Sequence, residues 1–309
     1  MSPLITAVIC THNREVYLRK ALQSLLDQTL GEKLYEIVVV DNGSQDNTKE
    51  VVREFSGIPH LRFVHEPVVG VSRARNTAWR NAQGEYVAFL DDDAIACRGW
   101  LEKYLEVFES FAPRPGVVGG KCEAIWEAAR PDWLSEKLFG YLSILDLSDV
   151  PEVLENHQWL SVCNMACPRR LLQSSGGFRE DLDRQGNSLR GNSEIYFLQQ
   201  IRGWGYRAIY HPEIMVGHHV SPSKLSKKWF RERAYWQGLS KAFMLYPEVG
   251  LSSARRARLG LLRIGWMLPR MVLMLSGTNA ADRFRRQCQA LEAAGYVKGL
   301  LRSGSYASP

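Results

Sequence analysis

Four apolar stretches dominate the first ninety-odd residues, and each runs straight into a polar loop. Leu4 to Cys10 is nearly continuous in apolar residues and ends in Thr11-His12-Asn13-Arg14. Glu36-Ile-Val-Val-Val40 ends in Asp41-Asn42-Gly43-Ser44, and Tyr86 to Leu90 ends in Asp91-Asp92-Asp93. Runs of this length without alternation are the pattern of strands buried on both faces. A fourth, weaker strand is expected near Leu61 to His65. Between the first two runs, Val16, Leu18, Ala21, Leu22, Leu25 and Leu26 recur at helical spacing. A second helix is expected from Val71 or Ser72, and a third near Arg98. Strand, helix, strand in this order predicts an α/β fold with a mostly parallel sheet. The loops after its strands then share one edge, which is where ligands bind in such sheets.

That edge would gather Thr11, Asn13, Asp41 and the carboxylates of Asp91 to Asp93. Three adjacent carboxylates repel one another. A hard divalent cation with oxygen ligands relieves the repulsion and recruits phosphate oxygens. Solvated turn residues, with Asp92 or Asp93 capping the following helix, are the alternative. Arg73 and Arg75 near a helix start suit a phosphate or ribose, although solvated arginines would look the same. No GxGxxG follows the first strand and no GxxxxGK[ST] occurs, so a dinucleotide fold and a P-loop both lack support.

Charge divides the chain unevenly. The net charge of +6 over 309 residues hides 23 Lys+Arg against 29 Asp+Glu in residues 1–223, and 16 against 4 in residues 224–309. We therefore expect one domain over 1–223 and a basic, helical region over 224–309 that meets an anionic surface. Arg255, Arg256, Arg258, Arg263 and Arg270 fall on one side of an expected helix, with Leu261, Ile264, Leu268, Met271 and Leu275 opposite. No uncharged run there reaches the roughly 20 residues that span a bilayer. The expectation is a peripheral helix on the cytoplasmic membrane face, and the alternative is docking on protein. Lys227 to Gly238 interleaves aromatic and basic residues as some nucleic-acid binders do, but the rest of the chain is acidic and no nucleic-acid partner is expected. The N-terminus lacks a secretory pattern. Six cysteines without a CxxC pair are expected as free, buried thiols.

The order of Val8 to Arg14, Val38 to Ser44, Ser72 to Asn76 and Gly84 to Asp93 resembles the family 2 glycosyltransferases of the GT-A fold. The resemblance continues through Asn164-Met-Ala166, Gly176-Gly-Phe178, Tyr210-His-Pro212 and His218, and covers about residues 3–220. It implies an inverting, non-processive transferase that uses a nucleotide-diphospho-sugar, most often a UDP-sugar, with Mn2+ or Mg2+. The acceptor would be a glycan or lipid-linked hydroxyl. Thr11, Asn13, Asp41, Arg75, Asp91 and Asp92 form the implied nucleotide-sugar set. Asp93, Asp91 and His218 are the implied metal ligands, with His219 as an alternative to His218. Asn164 falls on the family's acceptor-side strand, and Trp126 belongs to an aromatic stretch that can stack on a sugar or simply pack in a core.

Counting back from Gly205 aligns Ser193-Glu194 with the family's acceptor-activating Glu-Asp pair, so Glu194 is the expected base. Both positions depart from that pattern. Gln199-Gln-Ile-Arg202 approaches the QxxRW of processive synthases, but Gly203 stands where Trp is required. A catalytically silent nucleotide-sugar binder and a sugar nucleotidyltransferase are the rival readings.

Overall fold

The computed structural model describes residues 2–184, 188–245 and 279–301, together with Arg258, Leu262 and Gly265. The chain forms two compact units. The first comprises Met1–Ile125, Ser143–Glu180 and Ser193–His219; the second comprises Trp126–Leu142, Asp181–Asn192 and Val220–Pro309.

The first unit is an α/β sandwich around a mixed sheet. Its strands are β1 (Ile5–Thr11), β2 (Tyr35–Asp41), β3 (Leu61–His65), β4 (Tyr86–Asp91), β5 (Ala94–Ala96), β6 (Val117–Trp126), β7 (Glu152–Val153), β8 (Asn164–Pro168) and β9 (Ala208–Val220). The order is β3-β2-β1-β4-β8-β6-β9-β5, with β7 on β9. β3, β2, β1 and β4 run parallel, as the apolar runs predicted. β8 then pairs antiparallel to β4 and to β6.

Helices α1 (Glu15–Leu26), α2 (Thr48–Glu54), α3 (Val71–Asn81) and α4 (Trp100–Ser110) follow successive strands, and α5 (Arg169–Ser175) and α6 (Ser193–Gly203) come later. Leu18, Ala21, Leu22 and Leu25 of α1 are buried, which is the face their spacing predicted. One core of aliphatic and aromatic side chains joins these layers, with Trp100, Tyr104 and Phe108 of α4 fully enclosed.

Glu36 is a carboxylate next to the apolar run of β2, and its partners explain it. It accepts from Thr6 Oγ1 at 2.7 Å, from the Gln83 backbone N–H at 2.6 Å and from Arg62 Nη2 at 2.7 Å. A buried charge is tolerated when it is paired and hydrogen-bonded like this. Gly84 precedes β4 because the backbones nearly touch there: a Cβ would lie 2.7 Å from the Thr6 nitrogen.

The second unit contains α7 (Lys227–Phe243) and α8 (Ala280–Leu301). Ser226 caps α7, its Oγ accepting from the Trp229 N–H at 3.2 Å. Glycines let the two helix backbones approach: a Cβ on Gly238 would lie 1.8 Å from the Glu292 carbonyl oxygen, and one on Gly295 would lie 2.0 Å from that of Tyr235. Lys241 Nζ and the Tyr141 hydroxyl both reach the Glu292 carboxylate, at 2.7 and 2.8 Å. Most of the amphipathic pattern over residues 255–275 lies outside the described residues. Among the described residues no helix is long and apolar enough to cross a membrane.

Candidate active site

Three parallel strands end side by side and deliver their polar loops to one edge. β1 and β2 are in register up to the pair Thr11 and Asp41, and β1 and β4 up to Cys10 and Asp91. The loops are tied to one another by side chains. Asn13, at φ 54°, donates its backbone N–H to Ser44 Oγ at 3.0 Å and accepts from the Gln45 N–H through Oδ1 at 2.8 Å. Asp41 is fully buried, accepts from the Ser44 N–H at 2.9 Å and lies 3.2 Å from His65 Nδ1.

Asn42 performs the same service for the next loop. Its Nδ2 donates to the carbonyls of Glu66 and Val68, at 3.2 and 2.8 Å, and its Oδ1 accepts from the Gly70 N–H at 2.7 Å. Asn42 thereby fixes where α3 begins. The sequence signalled it only as part of a turn, because its partners lie in a different loop.

The acidic triplet turns at the end of β4. Asp91 lies 3.3 Å from Arg75 of α3, and Asp93 lies 3.9 Å from Arg14 Nη2. The short strand β5 then pairs antiparallel with β9, Ala94 opposite His218, and the His219 N–H donates to the Asp93 carbonyl at 2.8 Å. This pairing carries the His218 ring to Asp93, with Nε2 and Oδ1 3.2 Å apart. One ligand atom each from Asp91, Asp93 and His218 falls within 4.8 Å of the others. Asp93 and His218 are buried, and Asp91 is partly so. Two carboxylates and an imidazole suit Mn2+ and other first-row cations, and the carboxylates also suit Mg2+. Buried carboxylates facing one another without a cation are costly, so the donor set fits a divalent ion.

Burial first, and then the Asp93 charge, pushes the Asp92 carboxyl up to about 7, with Arg14 and the Thr11 hydroxyl pulling the other way. His219 faces Tyr17, with ring centroids 5.2 Å apart.

The remaining expected site residues are placed as follows. Glu194 is the second residue of α6, half-buried in the same unit. Asn164 is fully buried, and its amide is spent on the scaffold. Oδ1 accepts from Trp100 Nε1 at 2.7 Å and from the Tyr104 hydroxyl at 2.9 Å, while Nδ2 donates to the carbonyls of Lys121 and Ile214, both at 2.8 Å. These bonds use all four of its hydrogen-bonding positions. Trp126 belongs to the second unit, its ring tilted against Phe139 at 5.7 Å. The six cysteines are free, as expected, but only four are buried, Cys10 and Cys97 being partly exposed; Cys122 and Cys163 have sulfurs 3.7 Å apart.

A mannosyltransferase from Pyrobaculum calidifontis, solved in complex with GDP-Man and Mn2+, superposes on 98% of this chain and 88% of its own with a TM-score of 0.64 at 23% identity. Sheet order, edge loops and superposition define the GT-A fold. The chain belongs to glycosyl transferase family 2, whose model matches residues 6–172. Its relatives include a glucosyl-dolichyl phosphate glucuronosyltransferase of Haloferax volcanii, 27% identical over 312 residues and covering 96% of both chains. Another is the succinoglycan biosynthesis protein ExoM of Rhizobium meliloti, 27% identical over 299 residues and covering 95% of this chain and 91% of the relative.

Proposed function

We propose that this glycosyltransferase is an inverting, non-processive and metal-dependent enzyme. It moves a sugar from a nucleotide-diphospho-sugar, a UDP-sugar first among candidates, to a hydroxyl of a glycan or lipid-linked acceptor, as in cell-surface polysaccharide synthesis. The observation that carries this reading is the convergence of Asp91, Asp93 and His218 at the edge where β1, β2 and β4 end.

Thr11, Asn13 and Asp41 hold the nucleoside, and Arg75 and the acidic turn hold the ribose and diphosphate. Asp93, Asp91 and His218 hold the cation, which when bound neutralises charge on the departing diphosphate. Glu194 accepts the acceptor's proton as the acceptor oxygen bonds to the anomeric carbon and the bond to the diphosphate oxygen breaks. Asn164 supports the acceptor side through its four internal bonds. The basic region beyond residue 223 would hold the enzyme on the inner face of an anionic membrane. The lipid-linked nature of the acceptor draws support from the Haloferax volcanii relative's name.

The serine at position 193, where the family carries a carboxylate, keeps a second reading open: a silent nucleotide-sugar binder. Turnover decides between them. Purified protein is incubated with UDP- and GDP-sugars, Mn2+ and a panel of glycan and lipid-linked acceptors. Release of nucleoside diphosphate with a glycosylated product, abolished by chelation, is expected. Tight donor binding with no release on any acceptor would favour the silent reading.

A further inference from the structure

The two outer carboxylates of the acidic turn each face a guanidinium from a different element. Arg75 of α3 approaches Asp91 at 3.3 Å, and Arg14, just before α1, approaches Asp93 at 3.9 Å. The two arginines are unequally free to move. The Arg75 side chain is 10% exposed, whereas that of Arg14 is 33% exposed and lies over the Tyr17 ring with its Cζ 5.5 Å from the centroid. Arg14 is also dispensable to the helix it precedes. Its carbonyl accepts the N–H groups of Tyr17 and Leu18, while its side chain makes no capping bond.

Electrostatics makes the Arg14 contact and cation binding mutually opposed. Asp93 Oδ1 faces His218 while Oδ2 faces Arg14, so a cation drawn between Asp91, Asp93 and His218 arrives beside a fixed positive charge. The carboxylates of Asp91 and Asp93, two guanidinium groups and a divalent cation sum to two positive charges, and a nearby cation weakens the hold on another. An incoming diphosphate removes that surplus. A guanidinium is suited to accept it, since its planar fork matches phosphate oxygens as well as carboxylate.

We propose that Arg14 is an exchange counter-ion: it pairs with Asp93 when no cation is held, opposes binding of the cation alone, and passes to the donor's diphosphate when Asp93 takes the metal. Cation and nucleotide then bind cooperatively, each raising the affinity for the other by the same factor. The inference rests on the metal-dependent reading given above.

Equilibrium binding tests it without any turnover. Mn2+ affinity is measured by electron paramagnetic resonance or calorimetry, alone and with saturating UDP or GDP, for wild type, Arg14→Met and Arg14→Lys. Wild type should bind Mn2+ at least about tenfold more tightly with the nucleotide than without it. Arg14→Met should bind Mn2+ alone about three- to tenfold more tightly than wild type, should bind the nucleoside diphosphate with Mn2+ about tenfold more weakly, and should lose most of the coupling. Arg14→Lys, which keeps the charge without the fork, should fall between. Unchanged or weakened binding of Mn2+ alone in Arg14→Met, with the wild-type coupling intact, overturns this proposal and leaves the metal-dependent reading standing. A wild type that binds no Mn2+ in either condition overturns both. Absence of coupling in wild type overturns the exchange even if Arg14→Met proves too unstable to assay.

Discussion

Replacing Asn164 with alanine separates a scaffold residue from an acceptor contact. The substitution removes the Asn164 partner from four groups at once: the buried Trp100 indole N–H, Tyr104 hydroxyl and Ile214 carbonyl, and the part-buried Lys121 carbonyl. Each buried group left without a partner costs about 1–3 kcal/mol. The Tyr104 hydroxyl can rotate, and a water can enter the space vacated by the amide and recover part of this. We expect a net loss of about 3–5 kcal/mol, at the upper end of what single substitutions do. For a chain of this size that corresponds to a fall of about 5–8 °C in Tm.

Thermal unfolding by circular dichroism, with a urea midpoint as a second measure, reads the effect. Asn164→Asp should lose at least as much, because an ionised carboxylate would face two carbonyl oxygens that now receive an N–H. A fall of less than about 2 °C for Asn164→Ala, with transfer lost only at low acceptor concentration, would refute the scaffold argument and make Asn164 an acceptor ligand.

Asp93→Asn removes an anionic oxygen from the donor set and should weaken Mn2+-dependent binding of UDP or GDP by at least about tenfold in calorimetry; unchanged affinity would remove Asp93 from the site. Glu194→Gln keeps shape and loses basicity, so transfer should fall by roughly 10² to 10⁴ with donor affinity nearly unchanged. Residual transfer within about tenfold of wild type would remove Glu194 as the base. Gly238→Val drives a side chain into the Glu292 backbone and should destabilise the α7 and α8 pair by about 3 kcal/mol, read as faster limited proteolysis; proteolysis at the wild-type rate would show that the helices can part without cost. Full-length protein should sediment with anionic liposomes at low salt and be released by high salt, and failure to sediment at low salt would dismiss the membrane reading.

The parallel half of the sheet was legible because its strands are enclosed on both faces. Ile5, Ile9, Val38, Val40 and Leu90 are buried whichever way they point, so the apolar runs announce themselves. α1 was legible from the spacing of its buried residues. β5 was not. Three residues, Ala94-Ile-Ala96, carry no period, and they are a strand only because β9 pairs with them. The neighbouring acidic turn was therefore open to a helix-cap reading, whereas α4 begins later, at Trp100, with Gly99 before it.

The acidic triplet and the edge it occupies could be argued from residues, but His218 could be found only through the family resemblance, since nothing local links it to Asp93. The same limit hid Arg14, which reads as one more polar loop residue until the fold sets it opposite Asp93. Asn164 shows the converse case. A polar residue opening a short apolar strand looks available for a ligand, and only the positions of α4, β6 and β9 reveal that its amide is already engaged.

The pairing of β5 with β9 also governs when the site comes into being. As the chain emerges during synthesis, β1, β2 and β4 can assemble their edge and the acidic turn while β9 is still unmade, and long-range strand pairing of this kind is slow to form. The last ligand reaches its place only when Ala94 finds His218. A nascent or truncated chain that stops at residue 172, where the family match ends, would display Asp91 and Asp93 without the imidazole. Such a chain could begin to fold yet could not complete the cluster. The cluster thus records that the chain has been made as far as β9.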